Sequence, residues 1–286
     1  ELYRIQNSAE KLNKKATISI RVNPNVDPKT HPYISTGLKD NKFGVDEQNA
    51  ISMYKIAKNL SAIEIKGIDC HIGSQITELK PFEDSIKKLL ELIDHLKLIG
   101  ITIDHIDVGG GIGIQYSNEL PPTFSEYTNT VKKILKGHAL KIIFEPGRAI
   151  IGKAGILLTK VEYIKNNSNK NFLIVNAAMN DLMRPALYEA FHEIINLSPS
   201  VSDEKNYDVV GPVCETGDFL GKDRTISAEE DNILAVLDVG AYGMSMSSNY
   251  NSRPKVAEIL IDEGKAHLIR NRESFADLIH GEKLLP

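Results

Sequence analysis

Five short segments hold side chains whose types and spacing could do chemistry together. His71-Ile-Gly-Ser-Gln75 offers an imidazole and a hydroxyl, and Asp107-Val-Gly-Gly-Gly-Ile-Gly113 offers backbone amides with no Cβ in the way. Glu145-Pro-Gly-Arg148 sets a carboxylate and a guanidinium on either side of a turn. Gly211-Pro-Val-Cys-Glu-Thr-Gly-Asp218 puts a thiol next to a carboxylate, and Gly240-Ala-Tyr-Gly243 puts a phenol between two glycines. Consecutive glycines let N–H groups approach a phosphate closely, and a guanidinium reads carboxylate or phosphate through two parallel hydrogen bonds.

Each segment alone also has a plain reading. The glycine run reads equally as a tight strand-to-helix turn. It is neither a P-loop, because no GK[ST] follows, nor the dinucleotide fingerprint, because Ile114 stands where the final glycine belongs. A lone strand-end histidine is commonly structural, and a lone cysteine is commonly a small core residue. Cys214, however, lies among Glu215, Thr216 and two glycines, which is not core composition. A strand-end Glu145, if buried, needs a partner, and the ring N–H of a cofactor would serve as well as Arg148. Tyr242 sits in a polar segment that otherwise reads as a surface loop, and its flanking glycines leave room for its hydroxyl to reach a ligand.

The elements that must position these residues follow from hydrophobic periodicity. Up to about residue 150, short β-branched runs at Ile18–Val22, Ile65–Ile72, His105–Val108 and Lys141–Glu145 read as strands. Helical spacing separates them, as in Leu2, Ile5, Ala9 and Leu12, in Phe82, Ile86, Leu89, Leu90, Ile93 and Leu96, and in Tyr127, Val131, Ile134 and Leu135. This βα alternation predicts parallel strands covered on both faces, in an open sheet or in part of a barrel. Beyond about residue 152 the runs Ile156–Ile164, Phe172–Ala177, Tyr207–Val213, Ile233–Val239 and Val256–Ile269 follow one another as strands, with Lys165–Asn171 a loop and a hairpin turn at Asp262-Glu-Gly-Lys265. They predict a mostly antiparallel β domain. The expected domains are therefore 1–151 and 152–286.

Composition bounds the function. The 286 residues carry 34 Lys+Arg against 38 Asp+Glu, a net charge of −4, with no basic tract, which argues against nucleic acid as the main partner. Cys70 and Cys214 are the two cysteines and lack any paired spacing, so neither a disulfide framework nor a metal site is expected. No run approaches the roughly 18 apolar residues of a membrane span, and the expected setting is cytoplasmic.

In this order and together, the five segments resemble the fold-type III pyridoxal 5'-phosphate (PLP)-dependent amino acid decarboxylases. The resemblance runs from Ile18-Ser-Ile-Arg-Val-Asn-Pro24 through Lys42-Phe-Gly44 to Arg253-Pro-Lys-Val-Ala-Glu-Ile-Leu260. It implies an alanine racemase-like, PLP-binding (β/α)8 TIM barrel followed by a β-sandwich or barrel domain. It further implies that His71 stacks on the pyridine ring and that Glu145 keeps the ring nitrogen protonated. Ser74, the amides of Gly109, Gly110 and Gly111, Gly147 with Arg148, and Tyr242 would hold the cofactor and its phosphate. Arg148, Arg184, Tyr188 and Tyr242 would contact the substrate, and Glu215 would pair with a distal ammonium. Cys214 would return a proton to Cα from across a homodimer interface. Cys-Glu-Thr and the Met/Ser/Asn-rich segment after Tyr242 favour the branch acting on meso-2,6-diaminopimelate to give L-lysine and CO2, the last step of lysine synthesis. Ornithine, arginine or carboxynorspermidine as substrate, or a PLP-binding protein without catalysis, are the alternatives.

One part of the pattern is missing. The family holds PLP through a lysine in a segment resembling Tyr-Ala-Val-Lys-Ala-Asn, and the Lys-Ala pairs here, Lys15-Ala16 and Lys153-Ala154, do not match it. Four βα strands also cannot close a barrel of eight. The expectation is a C-terminal portion lacking the first half of the barrel, on the order of 120 residues at about 30 per βα unit, and inactive on its own.

Overall fold

The computed structural model describes residues 1–28 and 41–285. They form two compact units, Glu1–Ile150 and Ile151–Pro286.

The first unit runs α1 (Leu2–Lys11), β1 (Ala16–Arg21), α2 (Glu47–Lys58), β2 (Ile63–Asp69), α3 (Lys80–Leu98), β3 (His105–Asp107), α4 (Phe124–Ile134), β4 (Lys141–Ile143) and α5 (Arg148–Ile151), α5 closing at the boundary. The strands pair in parallel in the order β1-β2-β3-β4, as βα alternation demands. Helix α2 has no counterpart among the expected helices, because its buried residues, Ala50, Tyr54 and Ala57, include two small ones that weaken the apolar period. Its start is nonetheless written in the chain: Asp46 caps it by accepting from the Asn49 amide at 2.9 Å. Thr123 and Glu126 form a capping box that starts α4.

The sheet has one apolar and one polar face. Ile20, Val22, Ile68, Cys70, Ile72, Ile106 and Val108 pack with Phe82, Ile86, Leu89, Ile93 and Leu96 of α3 and Tyr127 and Val131 of α4. The alternate positions are polar: Ser19 and Arg21 on β1, Asp69 on β2, and His105 and Asp107 on β3. Register aligns Arg21 with Asp69 and Asp69 with Asp107, so charged side chains form a row across the sheet. In a separate row Gly67 pairs with Ser19 on one side and His105 on the other, and a Cβ there would come within 2.0 Å of the His105 ring.

The second unit contains β5 (Leu157–Asn166), β6 (Asn171–Val175), α6 (Arg184–Tyr188), β7 (Ile194–Asn196), β8 (Lys205–Val210), β9 (Phe219–Ile226), β10 (Ile233–Val236), β11 (Glu258–Asp262), β12 (Lys265–Arg270) and α7 (Phe275–Leu278). Six strands form one sheet in the order β7-β10-β5-β6-β8-β9. It is mixed, since β6 and β8 pair in parallel and the other pairings are antiparallel. Val161, Leu173, Val175, Val209, Leu220, Leu234 and Val236 fill its core. Strands β7 and β9 were not expected from the pattern. The first has three residues, and β9 reads Phe-Leu-Gly-Lys-Asp-Arg-Thr-Ile, with charges in mid-strand that hide the apolar alternation. Strand β8 stops at Val210, which leaves Val213 in the following loop. The hairpin β11–β12 turns at Glu263 and Gly264, both with positive φ (47° and 75°), as a type I′ hairpin turn requires.

Candidate active site

In the first unit the chemistry gathers where the parallel strands end. His71 follows β2, Gly109 to Gly111 follow β3 and Glu145 follows β4. The glycines are demanded by close backbone approach: a Cβ on Gly109 would lie 2.3 Å from the Cys70 carbonyl, on Gly110 2.1 Å from the Glu145 carbonyl, and on Gly111 2.3 Å from the Gly73 carbonyl. Gly109 and Gly111 also have positive φ (70° and 107°). The run therefore ties three strand ends together.

Two of its amides already have acceptors. Gly109 N–H donates to Asp107 Oδ1 at 2.9 Å, and Gly110 N–H donates to His71 Nδ1 at 3.3 Å. The second bond fixes the imidazole orientation and makes Nδ1 the unprotonated nitrogen. Burial, and then the Arg21 guanidinium, hold the His71 pKa below its ordinary value against the pull of Asp107. The neutral imidazole is the form suited to stacking on an aromatic ring. Glu145 is exposed at this rim. Arg21 Nη2 donates to the His71 carbonyl at 3.4 Å.

Arg148 turns inward instead of lying across the turn. It is 5% exposed; Nε and Nη2 donate to Ser74 Oγ at 3.2 and 3.0 Å, and Nη1 donates to Tyr116 Oη at 2.7 Å. Gln75, with positive φ (59°), bridges the same region by donating to the Ile114 carbonyl (2.6 Å) and accepting from its amide (3.1 Å). Gly147 is open, and a Cβ placed there would meet nothing within 4 Å.

In the second unit Cys214 and Glu215 project from the loop joining β8 to β9, and both are exposed. The loop is fastened by Asp218, 3% exposed, which accepts from Val213 N–H and Met179 N–H at 2.7 Å each. Burial raises the Asp218 pKa, and those two amides oppose the rise. Tyr250 Oη donates to Glu215 Oε2 at 2.6 Å. Arg184 opens α6 and is 6% exposed; its Nη1 lies 2.7 Å from His192 Nε2, and His192 Nδ1 lies 2.8 Å from the Leu237 carbonyl. A carbonyl can only accept, so Nδ1 carries the proton and Nε2 accepts from Arg184, leaving His192 neutral. Tyr188, half-buried, ends α6. Tyr242 is 41% exposed with positive φ (63°), a conformation uncommon outside glycine. A Cβ on Gly240 would lie 1.9 Å from the Ile151 carbonyl, and one on Gly243 2.4 Å from the Val239 carbonyl, so both flanking glycines are required.

Residues 1–152 match the family described as pyridoxal-dependent decarboxylase, pyridoxal binding domain. The whole chain is 54% identical to the diaminopimelate decarboxylase of Vibrio cholerae and 51% identical to that of Pseudomonas aeruginosa, covering 69% of each. The chain belongs to the diaminopimelate decarboxylase family. A solved structure of the family's Helicobacter pylori member, complexed with L-lysine, superposes with a TM-score of 0.93 at 45% identity, over 98% of this chain and 70% of that one.

The residues of this family member fit PLP. The strand-end rim supplies a neutral aromatic ring in His71, a carboxylate in Glu145 for a ring nitrogen, and the Gly111 amide and the Ser74 hydroxyl as donors for a phosphate. Among the described residues no group of three or more His, Cys, Asp and Glu is placed to hold a metal ion, and no helix is long and apolar enough to cross a membrane. Cys70, fully buried, has its thiol pushed up to about 12 by burial and is chemically quiet, whereas Cys214 is exposed.

Sequence reasoning missed Arg21, Tyr116, His192 and Tyr250, and did not assign Asp218 a role. Asp218 closes the very motif that holds Cys214, and His192 stands four residues after Tyr188, so a signal existed for both. Tyr116 and Tyr250 carry none.

Proposed function

We propose that this chain is the part of a PLP-dependent carboxy-lyase that decarboxylates meso-2,6-diaminopimelate to L-lysine and CO2, the last step of lysine synthesis. The observation that carries the reading is the gathering of His71, Glu145, Ser74 and the Gly109 to Gly111 turn on one set of strand ends, in a chain similar along its whole length to diaminopimelate decarboxylases. PLP, when bound, supplies the electron sink for the pair released as CO2 leaves.

The protein's own groups do the rest. His71 holds the ring by its face, and Glu145 keeps the ring nitrogen protonated. Gly111, Ser74, Gly147, Arg148 and Tyr242 anchor the phosphate end, Arg148 doing so through the Ser74 hydroxyl that it orients. Arg184, held by His192, and Tyr188 read a substrate carboxylate, while Glu215 meets the distal ammonium. Cys214 gives a proton to Cα. That thiol is exposed on its loop, as a donor serving the site of a second copy in a homodimer would be.

The four parallel strands are, in this reading, part of a (β/α)8 barrel whose polar inner row is Arg21, Asp69 and Asp107. The remaining strands and the lysine that bonds PLP are supplied by polypeptide beyond these 286 residues, and the chain alone is inactive. Lysine release from meso-diaminopimelate, assayed with the isolated chain and with the enzyme purified from its own cell, tests both statements. Turnover by the isolated chain that Cys214→Ala abolishes would overturn the second. Absence of lysine formation by the cellular enzyme would overturn the first.

A further inference from the structure

We infer that Tyr250 is a specificity-determining positioning residue, which orients the Glu215 carboxylate toward the substrate's distal ammonium. The inference rests on the reading of Glu215 given above. Tyr250 Oη donates to Glu215 Oε2 at 2.6 Å, and among the described residues Oε1 accepts no hydrogen bond. One oxygen is therefore committed to the protein and the other is left to a ligand.

The choice of donor matters. A glutamate on an exposed loop has several rotatable bonds, and fixing it costs side-chain entropy each time a ligand binds. A donor that fixes it beforehand removes that cost. Lysine or arginine at position 250 would also fix it, but would neutralise the charge that reads an ammonium. A phenol donates a hydrogen bond and leaves the carboxylate its full charge.

Tyr250 is itself firmly placed although 47% exposed. The Ser248 amide donates to the Asn180 carbonyl at 2.9 Å. On its other side Arg253 donates to Asn180 Oδ1 at 2.8 Å and to the Asn176 carbonyl at 2.7 Å. Asn251 and Ser252 turn the chain between them with positive φ (59° and 54°). Hydrogen bonding to Glu215, then its charge, with smaller contributions from burial and Cys214, raises the Tyr250 pKa above the ordinary tyrosine value.

Two measurements test this. In the decarboxylating holoenzyme, the ratio of kcat/KM for meso-diaminopimelate to that for 2-aminopimelate, the same diacid without the distal amine, reports selectivity. Tyr250→Phe should lower the ratio about three- to tenfold, the scale of one ordinary net hydrogen bond, since its effect on the substrate passes through Glu215. Glu215→Gln should collapse the ratio, and the double variant should be no worse than Glu215→Gln alone. If Glu215→Gln collapses it and Tyr250→Phe leaves it unchanged, Tyr250 has no such role. If Glu215→Gln itself leaves it unchanged, the underlying reading of Glu215 falls and the inference with it. In the 286-residue chain, difference titration against Tyr250→Phe isolates the one phenol. It should titrate above the ordinary range and return to that range in Glu215→Gln. No change there would show that the contact does not form in solution, which overturns the inference whatever the kinetics.

Discussion

Arg148 and Ser74 spend their hydrogen-bonding groups on each other: Nε and Nη2 of the guanidinium share the Ser74 hydroxyl oxygen at 3.2 and 3.0 Å. With both N–H groups directed at its oxygen, the hydroxyl hydrogen is free to turn toward a third acceptor, such as a phosphate. Ser74→Ala removes that bridge beside a guanidinium that is 5% exposed. The expected loss is about 1–3 kcal/mol of unfolding free energy, since a buried charged donor loses its acceptor. PLP should also leave the enzyme faster on dialysis. An unchanged denaturation midpoint together with unchanged PLP retention would show that the bridge carries neither load.

Gly110 has a sharper requirement. A Cβ there would stand 2.1 Å from the Glu145 carbonyl oxygen, and main chain cannot swing aside as a side chain can. Gly110→Ala should cost about 1–3 kcal/mol, the range for forced overpacking, and should disturb Glu145 and His71 together, because Gly110 N–H also holds His71 Nδ1. The equivalent change at Gly147, where no atom lies within 4 Å, should be close to neutral for stability. Equal destabilisation by the two substitutions would refute the close-approach argument.

Cys214 and Cys70 differ in access, so one reagent can distinguish them. In the native chain a thiol reagent should modify exposed Cys214 and spare Cys70, whose thiol burial pushes up to about 12. Cys214→Ala in the holoenzyme should leave the cofactor's absorbance nearly unchanged while slowing turnover by roughly 10²- to 10⁴-fold, the usual worth of a positioned proton donor. Loss of cofactor absorbance in that variant would instead make Cys214 structural.

The chain's patterning made the βα half legible because its long helix α3 and its strands have clear apolar periods, and because strand ends in a parallel sheet collect polar residues. His71, the glycine run and Glu145 do meet there. What stayed hidden were elements whose stability is tertiary: three-residue β7, charge-bearing β9 and small-residue α2. The supporting residues were hidden for a related reason. Tyr116 lies 32 positions before Arg148, and Tyr250 lies 35 after Glu215, distances at which no local spacing reports a contact. The burial of Arg148, turned toward Ser74 and Tyr116, is likewise a product of packing rather than of the Glu-Pro-Gly-Arg turn.

Asp69 gives a prediction in pH. It stands in the polar row between Arg21 and Asp107, and Ser19 Oγ donates to it at 3.0 Å. Burial raises its pKa, and the charges of Asp107 and Glu145 add to the rise, against the pull of Ser19 and Arg21. A carboxyl raised in the folded state keeps its proton to higher pH than it does in the unfolded chain. Between the two values the folded state binds more protons, so stability falls as pH rises through that window, and the cost persists above it. Asn at this position can still accept from Ser19 but has no charge to set against Asp107 and Glu145. Asp69→Asn should therefore be no more stable than the parent chain below the ordinary aspartate range. It should gain on the parent as pH rises through the window and keep that gain at neutral pH. Denaturant midpoints of both proteins from acid to neutral pH measure the difference. A gap that narrows with rising pH would mean that the attraction of Arg21 outweighs burial and repulsion at this position.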